Sequence, residues 1–367
     1  MNAGLRVGTE IDTLDALHRA LADDTLARAA VQGLDLRPLA DRVLAADVRG
    51  TILLGCTLDD DLADRLRARG ALVFPDLPDI PFNPYQPALY RARELYDGVE
   101  RGYQETPDAK VYAWTKKLAN PPLLRDTLAM ALHDDSITDS LDDILVGHSP
   151  GTVVGVMGGH AVHRGDEGYR DAARLGALLA EHGLLVATGG GPGAMEAANL
   201  GAACPDGALD DALARVSTVP SFTPDVTAWV DVALAVVASW DGRARPCLGI
   251  PTWFYGHEPP NVFASGIAKY FSNALREDVL LDRCRGGIVY LPGAAGTVQE
   301  LFQALTGDYY AATDADLTPL VLVGKDHWTR TVPAWPLLKV LTKGRPVARH
   351  IHLVDDVAEA VEVVASR

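Results

Sequence analysis

From residue 152 to the C-terminus, short apolar runs alternate with amphipathic stretches at helical spacing. The runs 152–157 (TVVGVM), 184–187 (LLVA), 247–251 (CLGIP), 287–291 (GIVYL), 320–324 (LVLVG) and 351–354 (IHLV) predict strands. Continuous apolar character, with no polar face, is the mark of strands covered on both sides. Between them, 169–182, 194–203, 262–281, 297–306 and 356–364 predict helices. Every connection is a βα or αβ step, so residues 146–367 are expected to form an α/β domain, a Rossmann-like doubly wound parallel sheet.

Residues 1–145 have a different texture and predict an N-terminal mixed α/β extension. Leucines at 14, 17, 21 and 26 among charges predict an amphipathic helix over 12–30. The apolar runs 51–56 and 71–74 flank a charged helical stretch, 59–69, which makes a small βαβ-like unit. The five prolines of 75–87 (PDLPDIPFNPYQP) forbid regular helix or interior strand there. Further helices are expected over 90–103 and 123–133, with alternative caps at Asp135, Thr138 and Ser140 in the segment that follows. The extension is thus read as mostly helical, and it carries no recognisable chemistry.

Composition narrows the function. A length of 367 residues suits about two domains, and 48% hydrophobic with 22% charged residues is globular. No run reaches the roughly 18 apolar residues of a membrane span, and the N-terminus lacks the layout of a signal peptide, so no membrane partner and a cytoplasmic location are expected. Cys56, Cys204, Cys247 and Cys284 stand far apart, which suggests neither a zinc site nor a disulfide framework. His160, His163 and His257 lie near predicted strand ends, but their spacing is no metal set. The formal charge of −16, without a basic cluster, excludes nucleic acid as a partner and favours a small ligand.

Two glycine-rich turns carry the candidate chemistry. In 290–303 (YLPGAAGTVQELFQ) a strand enters Pro292-Gly293 and a helix opens at Thr297. Thr297 and Glu300 have capping-box spacing, and the free N–H groups of such a first turn can hold an anion. The second turn, 188–193, follows the strand 184–187 and leads into AMEAANLGA. Gly158 and Gly159 end the first strand of the domain. The order of these turns is not the dinucleotide fingerprint, and no P-loop motif is present. Two glycine turns without a triphosphate lysine suit a monophosphate.

TGGGPGAMEAANLGA followed about a hundred residues later by LPGAAGTVQELFQAL resembles the LOG family, the cytokinin-activating phosphoribohydrolases and their bacterial nucleotide 5′-monophosphate nucleosidase relatives. The signatures are a GGGxxGxM-type turn and PGGxGTxxE; here the second glycine of the latter is Ala294, and the acidic residue usual before the glutamate is Gln299. The resemblance runs from about residue 153 to the C-terminus. It implies hydrolysis of the N-glycosidic bond of a nucleoside 5′-monophosphate, AMP- or GMP-like, to free base and ribose 5-phosphate, with purine substrates favoured. It also implies no cofactor, no metal, and a homodimer or higher homo-oligomer.

Glu300 matches the family's catalytic glutamate and Arg276 its arginine. Gly158, Gly159, Gly190, Gly191, Gly193, Met195, Pro292, Gly293, Gly296 and Thr297 are the expected substrate-binding residues. Chemistry supports the pair independently: N-glycosidic cleavage builds positive charge on the sugar, which a carboxylate stabilises, while an arginine can pair with it and keep it ionised. The competing readings are a capping role for Glu300, a solvated helix face for Arg276, and a non-catalytic nucleotide-binding or sensing protein. A lysine-decarboxylase label sometimes given to such sequences finds no pyridoxal phosphate site here.

Overall fold

The computed structural model describes residues 8–74, 77, 79–254 and 258–366. His257, and Pro75 and Pro78 of the proline-rich segment, lie outside the described residues. The chain divides into two compact units, Met1–Pro87 with Leu123–Ser136, and Ala88–Pro122 with Ile137–Arg367, where a single cut near 145 was expected.

In the first unit, four strands pair in parallel in the order β1 (Gly8–Ile11), β2 (Ala29–Gln32), β3 (Ile52–Leu54) and β4 (Leu72–Phe74). The expected βαβ unit is β3, the helix Asp60–Ala68 and β4. It is half of a larger sheet. The helix predicted over 12–30 stops at Ala22, and its last residues turn into β2 after Asp24 and Arg28 adopt positive φ. Leu17, Leu26, Val31, Val43, Leu53, Leu62 and Leu66 form the core of this unit. Helix spacing misled here because Leu26 is buried from a turn and not from a helix.

Before residue 146 one further helix expectation fails, and one helix is longer than expected. Over 90–103 only the single turn Ala92–Leu95 is α-helical, followed by 3-10 turns around Gly98 and Gly102, both at positive φ. In contrast, Leu124–Leu145 is one continuous helix, so Asp135, Thr138 and Ser140 sit within it and cap nothing.

The second unit contains seven parallel strands: β5 (Val153–Met157), β6 (Leu185–Thr188), β7 (Leu248–Gly249), β8 (Gly266–Ile267), β9 (Gly287–Tyr290), β10 (Leu320–Val323) and β11 (Ile351–Val354). Their order is β11-β10-β9-β5-β6-β7-β8, with every pairing parallel. Apart from the half-buried His352 and Leu353 of β11, strand residues are buried, and they alternate between two faces. Val153, Met157, Ile288, Tyr290, Leu320 and Leu322 point into one core with Ile137, Leu141, Leu280, Leu301 and Leu338 from helices. The opposite face meets Glu167–Glu181, Ala194–Ala203 and Val357–Ala365. On that face the first two helices pack backbone to backbone: a Cβ on Gly176 would stand 2.0 Å from the Ala198 carbonyl oxygen. The doubly wound sheet is therefore as the apolar pattern predicts.

One prediction in this unit is overturned. Residues 262–272 are not helical; they run extended through β8, and the helix begins only at Asn273, capped by the Ser272 hydroxyl at 3.3 Å from Leu275 N. Val262, Phe263, Ala264, Ile267, Ala268 and Phe271 are all buried, and burial on every side erases the period that separates helix from strand.

Candidate functional site

The chain starts the second sheet at β5, builds β6, β7 and β8 to one side, then returns to place β9 on the other. The strand order thus reverses between β5 and β9, and the crevice beyond their C-terminal ends is where open α/β sheets bind ligands. The turns after β5, β6 and β9 meet there. Gly159 N donates to the Pro292 carbonyl at 3.2 Å, and Ala194 N to the Gly159 carbonyl at 3.1 Å.

Glycine is required at several of these contacts. Gly193 has φ +74, and a Cβ on it would lie 2.5 Å from the Gly159 oxygen and 2.7 Å from the His160 oxygen. Gly190 has φ +70, with Pro251 Cδ 2.6 Å from the same imagined atom. Gly158 is buried where a Cβ would meet Ala194 Cβ at 2.8 Å. A buried polar network fixes the second turn from behind. The Thr188 hydroxyl donates to Asn199 Oδ1 at 2.7 Å and accepts from Gly190 N at 3.0 Å, while Asn261 N donates to the Gly190 carbonyl at 2.8 Å. Asn199 and Asn261 went unnoticed in the sequence, where single asparagines give no signal.

At the third turn the helix is Ala295–Tyr309, which starts two residues earlier than predicted. Thr297 is its third residue and not its cap, and Ala294 precedes the helix without any side-chain cap hydrogen bond. The expected capping box is absent. Thr297 is buried against Gly293, where a Cβ would come within 2.2 Å of the threonine hydroxyl. Ala294 has φ −116, so alanine sits there without strain. A Cβ on Gly296 would meet nothing within 4 Å. His327, which the sequence reading did not single out, lies with Nε2 3.0 Å from the Gly293 carbonyl and 3.3 Å from its N–H.

With the cap gone, the Glu300 side chain turns inward. Its Oε1 lies 3.2 Å from Arg276 Nη1, and the same nitrogen stands 3.2 Å from Glu277 Oε2. The two expected catalytic residues are thus brought together, and Arg276 is no solvated face, its side chain being 11% exposed. Arg276 also reaches the second turn: a Cβ on Gly189 would be 3.6 Å from its Nη1 and 2.7 Å from Met195 Sδ. Met195 and Glu258 flank Gly191.

Arg276 does not keep Glu300 ionised, as had been expected. Burial pushes the Glu300 carboxyl up to about 8; the Arg276 charge opposes that, and the nearby Glu277 carboxylate reinforces it. Glu277 was missed because it lies on the helical face that the residue before it was expected to expose.

A cavity of roughly 270 Å³ opens beside the first two turns, between His160, His163, Phe222 and Trp229. Glu196 lines it and is paired with the buried Arg164, whose Nε lies 3.1 Å from Glu196 Oε1 and whose guanidinium carbon is 4.5 Å from the centre of the Trp229 ring. Glu196 is thus the partner of a buried arginine.

The chain is similar to several known proteins. Residues 151–209 match the model of the SLOG cluster4 family. Over 215 residues the chain is 27% identical to the curated pyrimidine/purine nucleotide 5′-monophosphate nucleosidases of Escherichia coli K12 and O157:H7. That match covers 58% of this chain and only 40% of those proteins. Among solved structures, the molybdenum cofactor binding protein from Rippkaea orientalis aligns at 17% identity over 58% of this chain and 95% of its own, with a TM-score of 0.37. The molybdenum cofactor carrier protein of Chlamydomonas reinhardtii aligns at 18% over 58% and 96%, with a TM-score of 0.36. The chain is a relative of the LOG family.

Proposed function

We propose that this protein hydrolyses the N-glycosidic bond of a nucleoside 5′-monophosphate, with purine nucleotides favoured, to release free base and ribose 5-phosphate. The observation that carries the reading is the Arg276–Glu300 pair at 3.2 Å, set beside the glycine turns at the sheet's switch point. The 5′-phosphate is assigned to the turn at Pro292, Gly293, Gly296 and Thr297, where the N–H groups of a fifteen-residue helix are open to an anion. The His160–Phe222 cavity offers aromatic walls for the base. Glu300 faces the positive charge that grows on the ribose as the bond breaks, and Arg276 holds sugar or phosphate oxygens. The nucleotide named for the E. coli relatives supports the substrate class. A cytoplasmic homo-oligomer is part of the same proposal, on the strength of the family resemblance.

A second reading is favoured by the raised pKa of Glu300, which burial pushes up to about 8, so that the side chain keeps its proton at neutral pH. In it the chain binds nucleotides without turnover. Incubation with AMP, GMP, CMP and UMP, with chromatography for free base, separates the two. Base release that Glu300→Ala abolishes supports hydrolysis. A nucleotide-induced rise in melting temperature without release supports the binding protein.

A further inference from the structure

The helix Asn273–Arg283 brings a second acid to the site, and its placement needs an explanation. Glu277 is 4% exposed and Glu300 7%, so neither carboxyl is solvated. One guanidinium nitrogen, Arg276 Nη1, lies 3.2 Å from an oxygen of each. Two buried carboxylates against one arginine would leave an uncompensated negative charge in a low-dielectric pocket, and like charges so close do not both ionise. Hydrogen bonding points the same way. Glu277 Oε1 accepts from Asn273 Nδ2 at 3.4 Å, whereas the buried Oε2, apart from its ion-pair contact with Arg276 Nη1, accepts no hydrogen bond among the described residues. A proton on Glu300 would supply that donor.

We propose that Glu277 and Glu300 form one acid pair that shares a single proton across Arg276, with Glu277 a positioning residue for the Glu300 carboxyl. The other groups facing the pair do not change this balance. Tyr290 on β9 is kept neutral by burial, its hydroxyl 3.4 Å from the Glu300 carbonyl oxygen. The Cys284 thiol, just beyond the Arg276 helix, is pushed up to about 12 by burial. Asp308, two turns further along the Glu300 helix, takes backbone donors from Thr318 at 3.3 Å. Glu258 lies beside Gly191, with its Oε1 3.4 Å from His160 Nδ1. The upward displacement of the Glu300 pKa, with Glu277 among its causes, is the expected consequence.

A shared proton leaves the acid pair with a single negative charge, which Arg276 balances before the substrate's charge develops. In the hydrolysis proposed above, on which this step rests, the pair's negative charge faces the ribosyl cation. The C1′–N bond breaks with its electron pair passing to the base nitrogen, which is protonated from solvent. The water oxygen bonds to C1′, and the water's proton passes to the ionised member of the pair.

The test is the titration of Glu300 in the intact ligand-free protein, followed by carbon NMR of glutamate labelled at the side-chain carboxyl and assigned with Glu300→Gln. Glu277→Gln keeps the volume and removes the like charge. The Glu300 midpoint is expected to fall by at least about one unit, a tenfold change in proton concentration. An unchanged midpoint overturns the proposal. The reciprocal variant gives a second reading that does not depend on the stability of the first: in Glu300→Gln the upper step of the pair's titration must disappear, and its persistence again overturns the pair. Base release, assayed separately on the unmodified protein, distinguishes the failures. Coupled titration without release sustains the pair and removes the hydrolase reading; release with independent titrations does the reverse.

Discussion

Replacing Glu300 by glutamine is expected to stabilise the second unit, by an amount that grows as pH rises from about 4.5 to about 8 and is constant above that. Burial pushes the Glu300 carboxyl up from its ordinary 4.5 to about 8 in the folded state. A carboxyl raised in this way binds its proton more tightly in the folded state. Its stabilising contribution is complete below about pH 4.5 and is lost as pH rises through about 8. The displacement from 4.5 to about 8, at about 1.4 kcal/mol per unit, sets a ceiling on the order of 5 kcal/mol on the cost of the ionised side chain. Glutamine copies the protonated acid and cannot ionise. The variant should therefore match the native protein near pH 5 and exceed it by a few kcal/mol near pH 9, which for a unit of this size is a rise in melting temperature on the order of ten degrees. Tryptophan fluorescence is a selective probe, because Trp114, Trp229, Trp240, Trp253, Trp328 and Trp335 all belong to the second unit. A difference in melting temperature that stays constant from acid to alkaline pH would refute the argument, because a pH-independent gain would come from packing and not from a displaced proton.

Other substitutions probe the parts of the site separately. Arg276→Met leaves two buried acids without their cation; it should cost about 3–5 kcal/mol in denaturant melts and abolish base release. Gly193→Ala combines a left-handed backbone with a 2.5 Å approach to the Gly159 oxygen, so a loss of at least about 1–3 kcal/mol and of nucleotide-induced stabilisation is expected. Ala294→Gly should leave turnover unchanged, since φ −116 already suits alanine; a large gain in base release would show that the methyl obstructs the substrate. Glu196→Leu alone should destabilise by about 3–5 kcal/mol, and adding Arg164→Met should restore much of that, as measured by a double-mutant cycle.

The parts of the fold legible in the sequence were those where burial is one-sided or uniform over a short run. The strands β5, β6, β9, β10 and β11 are each four or five residues of apolar character bounded by turns, and each was placed within a residue or two. The segment 262–281 failed because two different elements share one apolar texture: an extended stretch buried on all sides runs into a helix buried on one. The N-terminal sheet was half visible for a related reason. β2 is Ala-Ala-Val-Gln, whose short side chains continue the spacing of the preceding helix.

The site shows the same limit at the scale of single residues. Arg276 and Glu300 were found through motif spacing, yet the reason given for Glu300, a hydroxyl-and-carboxylate cap, proved false. What decides its role is the third dimension. A capping Glu300 would reach back along its own helix towards solvent; the observed one crosses to a neighbouring helix and is buried against Arg276 and Glu277. The change inverts its charge state, because desolvation and a second carboxylate together outweigh one arginine. Spacing along a chain can indicate that an acid and a base will meet, but not how many acids share the base. That number sets where the proton rests, and through it whether Glu300 acts alone or as one member of a pair.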